Sequence, residues 1–297
     1  MLQILMGAIS LGLLWAIVTI GVYITYRILD IADLTVEGSI VLGGAIAASA
    51  ITKGINSYAA IGIAFIGGLI AGLITGLLHT KLKIPSLLSG ILTMIALYSI
   101  NLRIMGKANI SLLRVNTAYS VFKNLGLDHN SAVIILGVLF VGGIIGILYW
   151  FFGTEIGCAI RATGDNPQMV RAQGINTNTT IILGLMISNG LVAISGALIA
   201  QSQSFADVQM GIGSIVIGLA SVIIGEVLFG KRNFFNILIS LVLGAITYRI
   251  IIALVLKLGM PANDLKLFTA ITVAIALALP VFRSYLKPIK KSIKRGE

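Results

Sequence analysis

Long apolar runs alternate with short polar ones along almost the whole chain. A helix that crosses a bilayer needs about 20 mostly apolar residues. Nine runs approach that length, near 2–26, 38–53, 58–79, 86–105, 131–152, 179–201, 211–229, 233–256 and 266–284. The second and seventh are short and rich in Gly and Ser, so either could be a broken or re-entrant helix. The first run is too long for the apolar part of a cleavable signal and lacks a basic start, so it reads as a retained membrane helix. The longest polar stretches are 106–130 and 153–178. The pattern predicts an all-α, polytopic membrane protein with about 8–10 transmembrane helices.

Composition agrees. Of 297 residues, 58% are hydrophobic and 10% charged, and the mean hydropathy is +1.05. Soluble domains carry roughly a quarter charged residues. A soluble enzyme, a nucleic-acid binder and a disordered chain are therefore poor readings. The net charge of +11 belongs to the loops. Counting alternate loops, thirteen Lys and Arg gather on one side and seven on the other, with Arg249 inside a span. The positive-inside rule then puts the C-terminus in the cytoplasm and the N-terminus outside. The basic run Lys287–Arg295 reads as a topology anchor at an anionic leaflet, with a specific lipid or partner site as the alternative. A single cysteine, Cys158, excludes an intrachain disulfide and a cysteine-based metal site. With only His79 and His129 as imidazoles, no metal or cofactor is expected on this chain.

The chain also repeats itself. Residues 32–43 read ADLTVEGSIVLG and residues 206–218 read ADVQMGIGSIVIG. Each follows a long apolar run. The chain divides into a first half-repeat (1–106), an outer loop and linker helix (107–152), a polar segment (153–178), and a second half-repeat with the basic tail (179–297). An odd number of linker helices makes the halves inverted, the arrangement of transport proteins that handle solute where repeats meet. Gly38, Ser39, Gly213 and Ser214 are expected to open helices. Their free N–H groups could face a polar or anionic ligand, or their small side chains could simply let helices approach. The runs Gly68-Gly72-Gly76 and Gly142-Gly146 belong to the packing class.

Intramembrane polar groups supply the remaining candidates. Asp33 and Asp207 sit at the polar edges of spans. Arg249 could pair with an acidic group or a substrate carboxylate, or it could form a structural salt bridge or snorkel. Glu226 lies within reach of Lys231 or Arg232. Asn189 either hydrogen-bonds across helices or lines a pore. Together Asp33, Gly38, Ser39, Asn189, Asp207, Gly213, Ser214 and Arg249 outline a possible translocation path. They form no chain of Asp, Glu and His suited to relaying protons.

Residues 153–178 carry the most specific signal. Asn166 suits a helix cap, Pro167 its first position and Gly174 its end. The expected helix, Pro167 to Gln173, is too polar to span and is flanked by Arg161 and Arg171, as a docking element would be. The run Arg161-Ala162-x-Gly164-Asp165-Asn166-Pro167, with Gly174-Ile175 and later Ser195-Gly196-Ala197-Leu198, resembles the permease subunits of ABC importers. The similar group serves branched-chain amino acids, ribose-type sugars and related solutes. The resemblance implies that Arg161, Gly164, Asp165, Asn166, Pro167, Arg171 and Gly174 form the coupling helix that sits in a groove of the ATPase. Asp165 stands where many members carry Glu. It further implies a cytoplasmic ABC ATPase dimer, a second permease copy or related permease, and an extracellular solute-binding protein as partners. The location implied is the cytoplasmic membrane of a prokaryote.

An internal energy source is a poor fit. The nearest P-loop match, Gly225 to Arg232, has Arg232 in place of the hydroxyl that binds Mg²⁺ and lies at a helix end. ATP and Mg²⁺ are therefore expected on a partner, and this chain is expected to be a transport subunit rather than an enzyme. The leading solute is a hydrophobic or aromatic amino acid. A sugar or nucleoside permease and an ion-coupled secondary transporter are the alternatives. A membrane enzyme would need a convergent set of His, Asp or Glu, and a channel would need a filter.

Overall fold

The computed structural model describes residues 2–257 apart from 114 and 125, together with 267, 270, 271, 274 and 278. The ninth predicted span is described only at those scattered positions, and the basic tail lies outside the described residues. The other eight predicted spans are helices: α1 (Leu2–Tyr23), α2 (Thr35–Thr52), α3 (Ser57–Thr80), α4 (Ser86–Met105), and four more below. A short strand β1 (Asn109–Ser111) and helix α5 (Ser120–Asn124) precede α6 (His129–Phe152). Two polar helices follow, α7 (Glu155–Asp165) and α8 (Pro167–Ala172). The chain returns through α9 (Thr177–Gln203), β2 (Phe205–Asp207), α10 (Ser214–Phe229) and α11 (Phe234–Lys257). Among the described residues, seven helical stretches are long and apolar enough to cross a membrane, while α10 has only 16 residues.

Local chemistry sets several boundaries. The Asn56 side chain accepts from Tyr58 N at 2.9 Å and caps α3. Gly106 ends α4 in a left-handed conformation, φ 68°. Helix α1 continues into one π-helical turn, Ile24–Ile28.

The centre of the bundle is α9, which packs on α1, α2 and α3. Glycine makes those contacts close. A methyl on Gly43 of α2 would collide with the Ala193 carbonyl oxygen, and one on Gly196 of α9 with that of Ile40. On α3, Gly68 and Gly72 lie against the carbonyls of Asn189 and Leu185, and Gly76 against Ile182. The packing role expected for that run is what the structure shows. Gly142 and Gly146 differ: a methyl on either meets nothing within 4 Å. They lie on the outward side of α6, where Val138, Leu139, Ile147 and Trp150 are exposed. Spacing alone could not tell an inner from an outer face on a helix that is apolar all round.

Connections that alternate in sequence gather at opposite ends. At one end, Arg27 and Lys231 both reach Glu226, Gly164 abuts Ile28, and the 79–85 connection lines a cavity with residues 171–181. At the other end, β1 pairs antiparallel with β2, placing Asn109 opposite Asp207. The Tyr58 hydroxyl there donates to Ala118 O.

Candidate functional site

The two repeated motifs meet inside the bundle. In the first, Asp33 bends the chain into α2: its Oδ1 accepts from Thr35 N at 2.9 Å. In the second, Asp207 Oδ1 accepts from Gln209 N at 2.7 Å. Each aspartate gives its other oxygen to an asparagine side chain. Asn189 Nδ2 donates to Asp33 Oδ2 at 2.7 Å, and Asn109 Nδ2 to Asp207 Oδ2 at 3.0 Å. Asp33 is buried, whereas Asp207 is half-buried at the sheet end.

Asn189 is the junction of the buried cluster. Its Oδ1 accepts from Ser39 Oγ at 2.7 Å, and Nδ2 also donates to Leu185 O at 3.0 Å. Asn189, Ser39 and Asp33 are all buried. Of the two roles open to Asn189, the described residues show the cross-helix hydrogen bond. Burial pushes the Asp33 carboxyl, in the 29–34 connection, above its usual range, and the hydrogen bonds from Thr35 and Asn189 pull it back. Thr35 and Thr75 share a hydroxyl hydrogen bond at 2.8 Å beside it.

The expected helix openings hold for one motif only. Gly213 is the cap of α10, at φ 80°, and Ser214 its first residue. Gly38 and Ser39 lie in the second turn of α2, because the Asp33 turn starts that helix at Thr35. Nor is the α10 opening vacant. Gly213 N donates to Glu37 Oε1 at 2.9 Å, so a carboxylate from the first motif already sits at the positive end of the second helix. A methyl on Gly211 would collide with Glu37 O. Only a glycine lets the two motifs come this close.

Beside that junction lies a cavity of about 380 Å³ between α2, α4 and the 208–212 connection. Glu37, Gly38, Met94, Tyr98 and Asn101 are among its walls. Glu37, Tyr98 and Asn101 were not candidates from sequence. Glu37 carried a usable signal, an acid within an apolar helix. Asn101 carried none, since one amide near a helix end has many roles.

The 155–176 end is built from capped polar helices. Thr154 Oγ1 accepts from Gly157 N at 3.3 Å to start α7, a helix hidden in what reads as a polar stretch. Asn166 Oδ1 accepts from Met169 N at 3.0 Å to start α8, with Pro167 at its first position. Gly174 adopts φ 83° where the chain turns away. Asp165, Asn166, Pro167 and Arg171 are exposed, as is Met169 at 47%. The pair is fixed to the bundle from behind. Gly164 lies against Ile28 O, Thr163 and Thr180 share a hydroxyl hydrogen bond at 2.8 Å, and Arg171 Nε donates to Thr177 Oγ1 at 2.7 Å. Arg161 points back to Phe152 O at 2.7 Å and stacks over Phe234. A cavity of about 580 Å³ adjoins the end of α8, with His79, Lys83 and Arg171 among its walls.

The remaining charges separate. Glu226 meets Lys231, as expected, and also Arg27, with Oε2 2.8 and 2.6 Å from them. Arg249 has no acidic partner among the described residues. Its guanidinium lies 4.3 Å from the Trp15 ring centroid, and Nε has no hydrogen bond. Among the described residues, no hydrogen bond or ion pair joins Arg249 to Asp33, Ser39 or Asn189.

An all-α membrane bundle with motifs converging from two halves, and with a capped polar helix pair exposed at one end, is the architecture of a transport permease. Residues 4–279 match the family described as branched-chain amino acid transport system / permease component, and the chain belongs to this family of ABC importer permeases. It is 44% identical to a tyrosine transport system permease protein of Clostridioides difficile, over 92% of this chain and 90% of that one. It is 27% identical to a probable branched-chain amino acid transport permease protein LivH of Methanocaldococcus jannaschii, covering 66% of this chain and 65% of that one. Its fold is similar to PsaBC from Streptococcus pneumoniae, solved in complex with Fab: TM-score 0.50, 18% identity, 92% of this chain and 89% of that one. Family membership decides between an ATP-driven permease and an ion-coupled carrier in favour of the first, and makes the chain a transport component rather than an enzyme.

Proposed function

We propose that this permease moves a hydrophobic or aromatic amino acid inward across the cytoplasmic membrane of a prokaryote. It acts beside a second copy or a related permease. A separate ABC ATPase dimer holds the ATP and Mg²⁺ and docks at 161–174. Asp165, Asn166, Pro167, Arg171 and Gly174 form the exposed face of that segment, and Arg161 and Gly164 hold it to the bundle. The 155–176 end faces the cytoplasm, following the excess of thirteen basic residues over seven. An extracellular binding protein delivers solute to the end bearing β1 and β2. The two motifs around Asp33 and Asp207 belong to inverted half-repeats, and the permease opens alternately to each side.

The observation that carries this reading is the capped, exposed α8, fastened through α7 to the ends of α1 and α9. A push on α8 is passed by Gly164 to Ile28 and by Thr163 to Thr180. Both lead toward the Asp33–Asn189 cluster. The name of the 44% identical relative supports the solute class.

The test is Asn166→Ala with Pro167→Ala. Helix start and rigidity are lost, while the buried contacts of Thr163 and Gly164 remain. The variant is expected to fold and to bind ATPase, yet to lose ATP-driven uptake and stimulation of hydrolysis. Unchanged uptake and stimulation would remove the segment as coupler. Uptake that persists in ATP-depleted vesicles under an ion gradient alone would remove the ATP-driven reading.

A further inference from the structure

The cavity beside the meeting point of the two motifs has an unusual chemistry. Its described walls hold one carboxylate, Glu37, and no Lys, Arg or His. Glu37 is half-buried. Its Oε1 takes the Gly213 N–H, and its Oε2 accepts no hydrogen bond from the described residues. Asn101, at 1% exposure, donates Nδ2 to Gly38 O at 3.3 Å, but its Oδ1 has no partner. Glu37 Oε2 thus lies in, and the unpaired Asn101 amide oxygen behind, the wall of one cavity whose other walls are mainly apolar, among them Val41, Met94, Ile95 and Tyr98. A ligand that brings N–H donors satisfies the open carboxylate oxygen.

We infer that this cavity is a solute subsite that takes a protonated amine carried on an apolar or aromatic body. The ammonium donates to Glu37 Oε2, beside the Asn101 amide, and the body lies along Met94, Ile95 and Tyr98. The volume suits a molecule of amino-acid size. A carboxylate finds no cation on these walls, so the site reads the amine end and leaves the acid end at the open side. The inference rests on the amino-acid reading above for the kind of body. For the ammonium it rests on the geometry alone.

The two can be tested apart. The purified full-length permease, in nanodiscs, is titrated with tyramine, L-tyrosine and 3-(4-hydroxyphenyl)propionate, with binding read by thermal shift and calorimetry. Tyramine and L-tyrosine are expected to bind, and the propionate, which lacks the amine, is not. Glu37→Gln keeps an acceptor for Gly213 N and should weaken tyramine about tenfold or more, the loss of one charge-assisted hydrogen bond. Ile95→Trp, at an exposed position on the cavity wall, should weaken it without touching the polar pair. Propionate binding as tight as tyramine binding, an unchanged affinity in Glu37→Gln, or no binding of any amine at millimolar concentration overturns the inference. If tyramine binds as expected but ATP-driven uptake of L-tyrosine fails, the site stands and the proposed solute falls.

Discussion

Asn189→Leu is the most informative single change in the buried cluster. The side chains are close in size, so the substitution removes hydrogen bonds with little change in volume. Three bonds go: Nδ2 to Asp33 Oδ2, Nδ2 to Leu185 O, and Ser39 Oγ to Oδ1. The Leu185 carbonyl keeps its helical partner and contributes little. The Ser39 hydroxyl loses its acceptor in a buried position, which costs about 1 kcal/mol. Asp33 keeps the Thr35 N–H on Oδ1 but leaves Oδ2 without its donor, which costs about 2 kcal/mol for a buried carboxyl. The sum is about 3 kcal/mol. Interhelical hydrogen bonds in membranes average nearer about 0.6 kcal/mol, because the unfolded helices find other partners. The Asp33 bond should exceed that average because the group is buried in a turn. Asp33→Ser keeps an oxygen for Thr35 N and removes the orphaned one. Combined with Asn189→Leu, it should recover about 1–2 kcal/mol relative to Asn189→Leu alone. Thermal unfolding in detergent, followed by Trp fluorescence and by size-exclusion retention, measures both. A loss below about 0.5 kcal/mol in the single variant, or a double variant weaker than the single, would refute the junction role of Asn189.

Three further outcomes are expected. Gly196→Ala, which drives a methyl into Ile40 O, should cost about 1–3 kcal/mol, whereas Gly146→Ala should stay within about 0.5 kcal/mol; comparative thermal unfolding distinguishes them. Glu226→Gln should cost about 1–2 kcal/mol: its own side chain is 5% exposed, but its partners Arg27 and Lys231 are 41% and 50% exposed and recover water. A loss above about 4 kcal/mol would show a fully dehydrated pair. Arg249→Met should be neutral or stabilising, since among the described residues its Nε is unpartnered and the guanidinium stacks on Trp15 without an acidic partner; unfolding and uptake both check it, and lost uptake at unchanged stability would support a place for Arg249 in the translocation path.

Much of the architecture is legible because lipid imposes a simple code. A span must be about 20 apolar residues, and eight of the nine expected spans are helices close to their expected ends. Asn166, Pro167 and Gly174 announce α8 because capping is local chemistry that needs no tertiary partner. The misses share a cause. Gly38 and Ser39 lie inside α2 because Asp33 closes a turn ahead of them, and that turn is held by Asn189, 156 residues away. Gly142 and Gly146 face outward because nothing in an all-apolar helix marks its inner side. The β1–β2 pair and the Glu37–Gly213 bond join segments about a hundred residues or more apart. Asn101 becomes noticeable only when its oxygen is found unpartnered.

The glycine contacts of α9 have a mechanical consequence. Where a carbonyl oxygen rests directly on a Cα, no side chain intervenes to change rotamer and absorb displacement. Protein interiors are already nearly incompressible, and these seams lack even the slack of a flexible residue. Gly43 and Gly196 lock α2 to α9, Gly68 and Gly72 lock α3 to α9, and Gly164 seats α7 on the end of α1 by the same device. The assembly behaves as one stiff lever rather than a set of sliding rods. A stroke applied at its foot arrives at its tip with little loss, so any hinge must lie at the perimeter, where α4 and α10 meet the block.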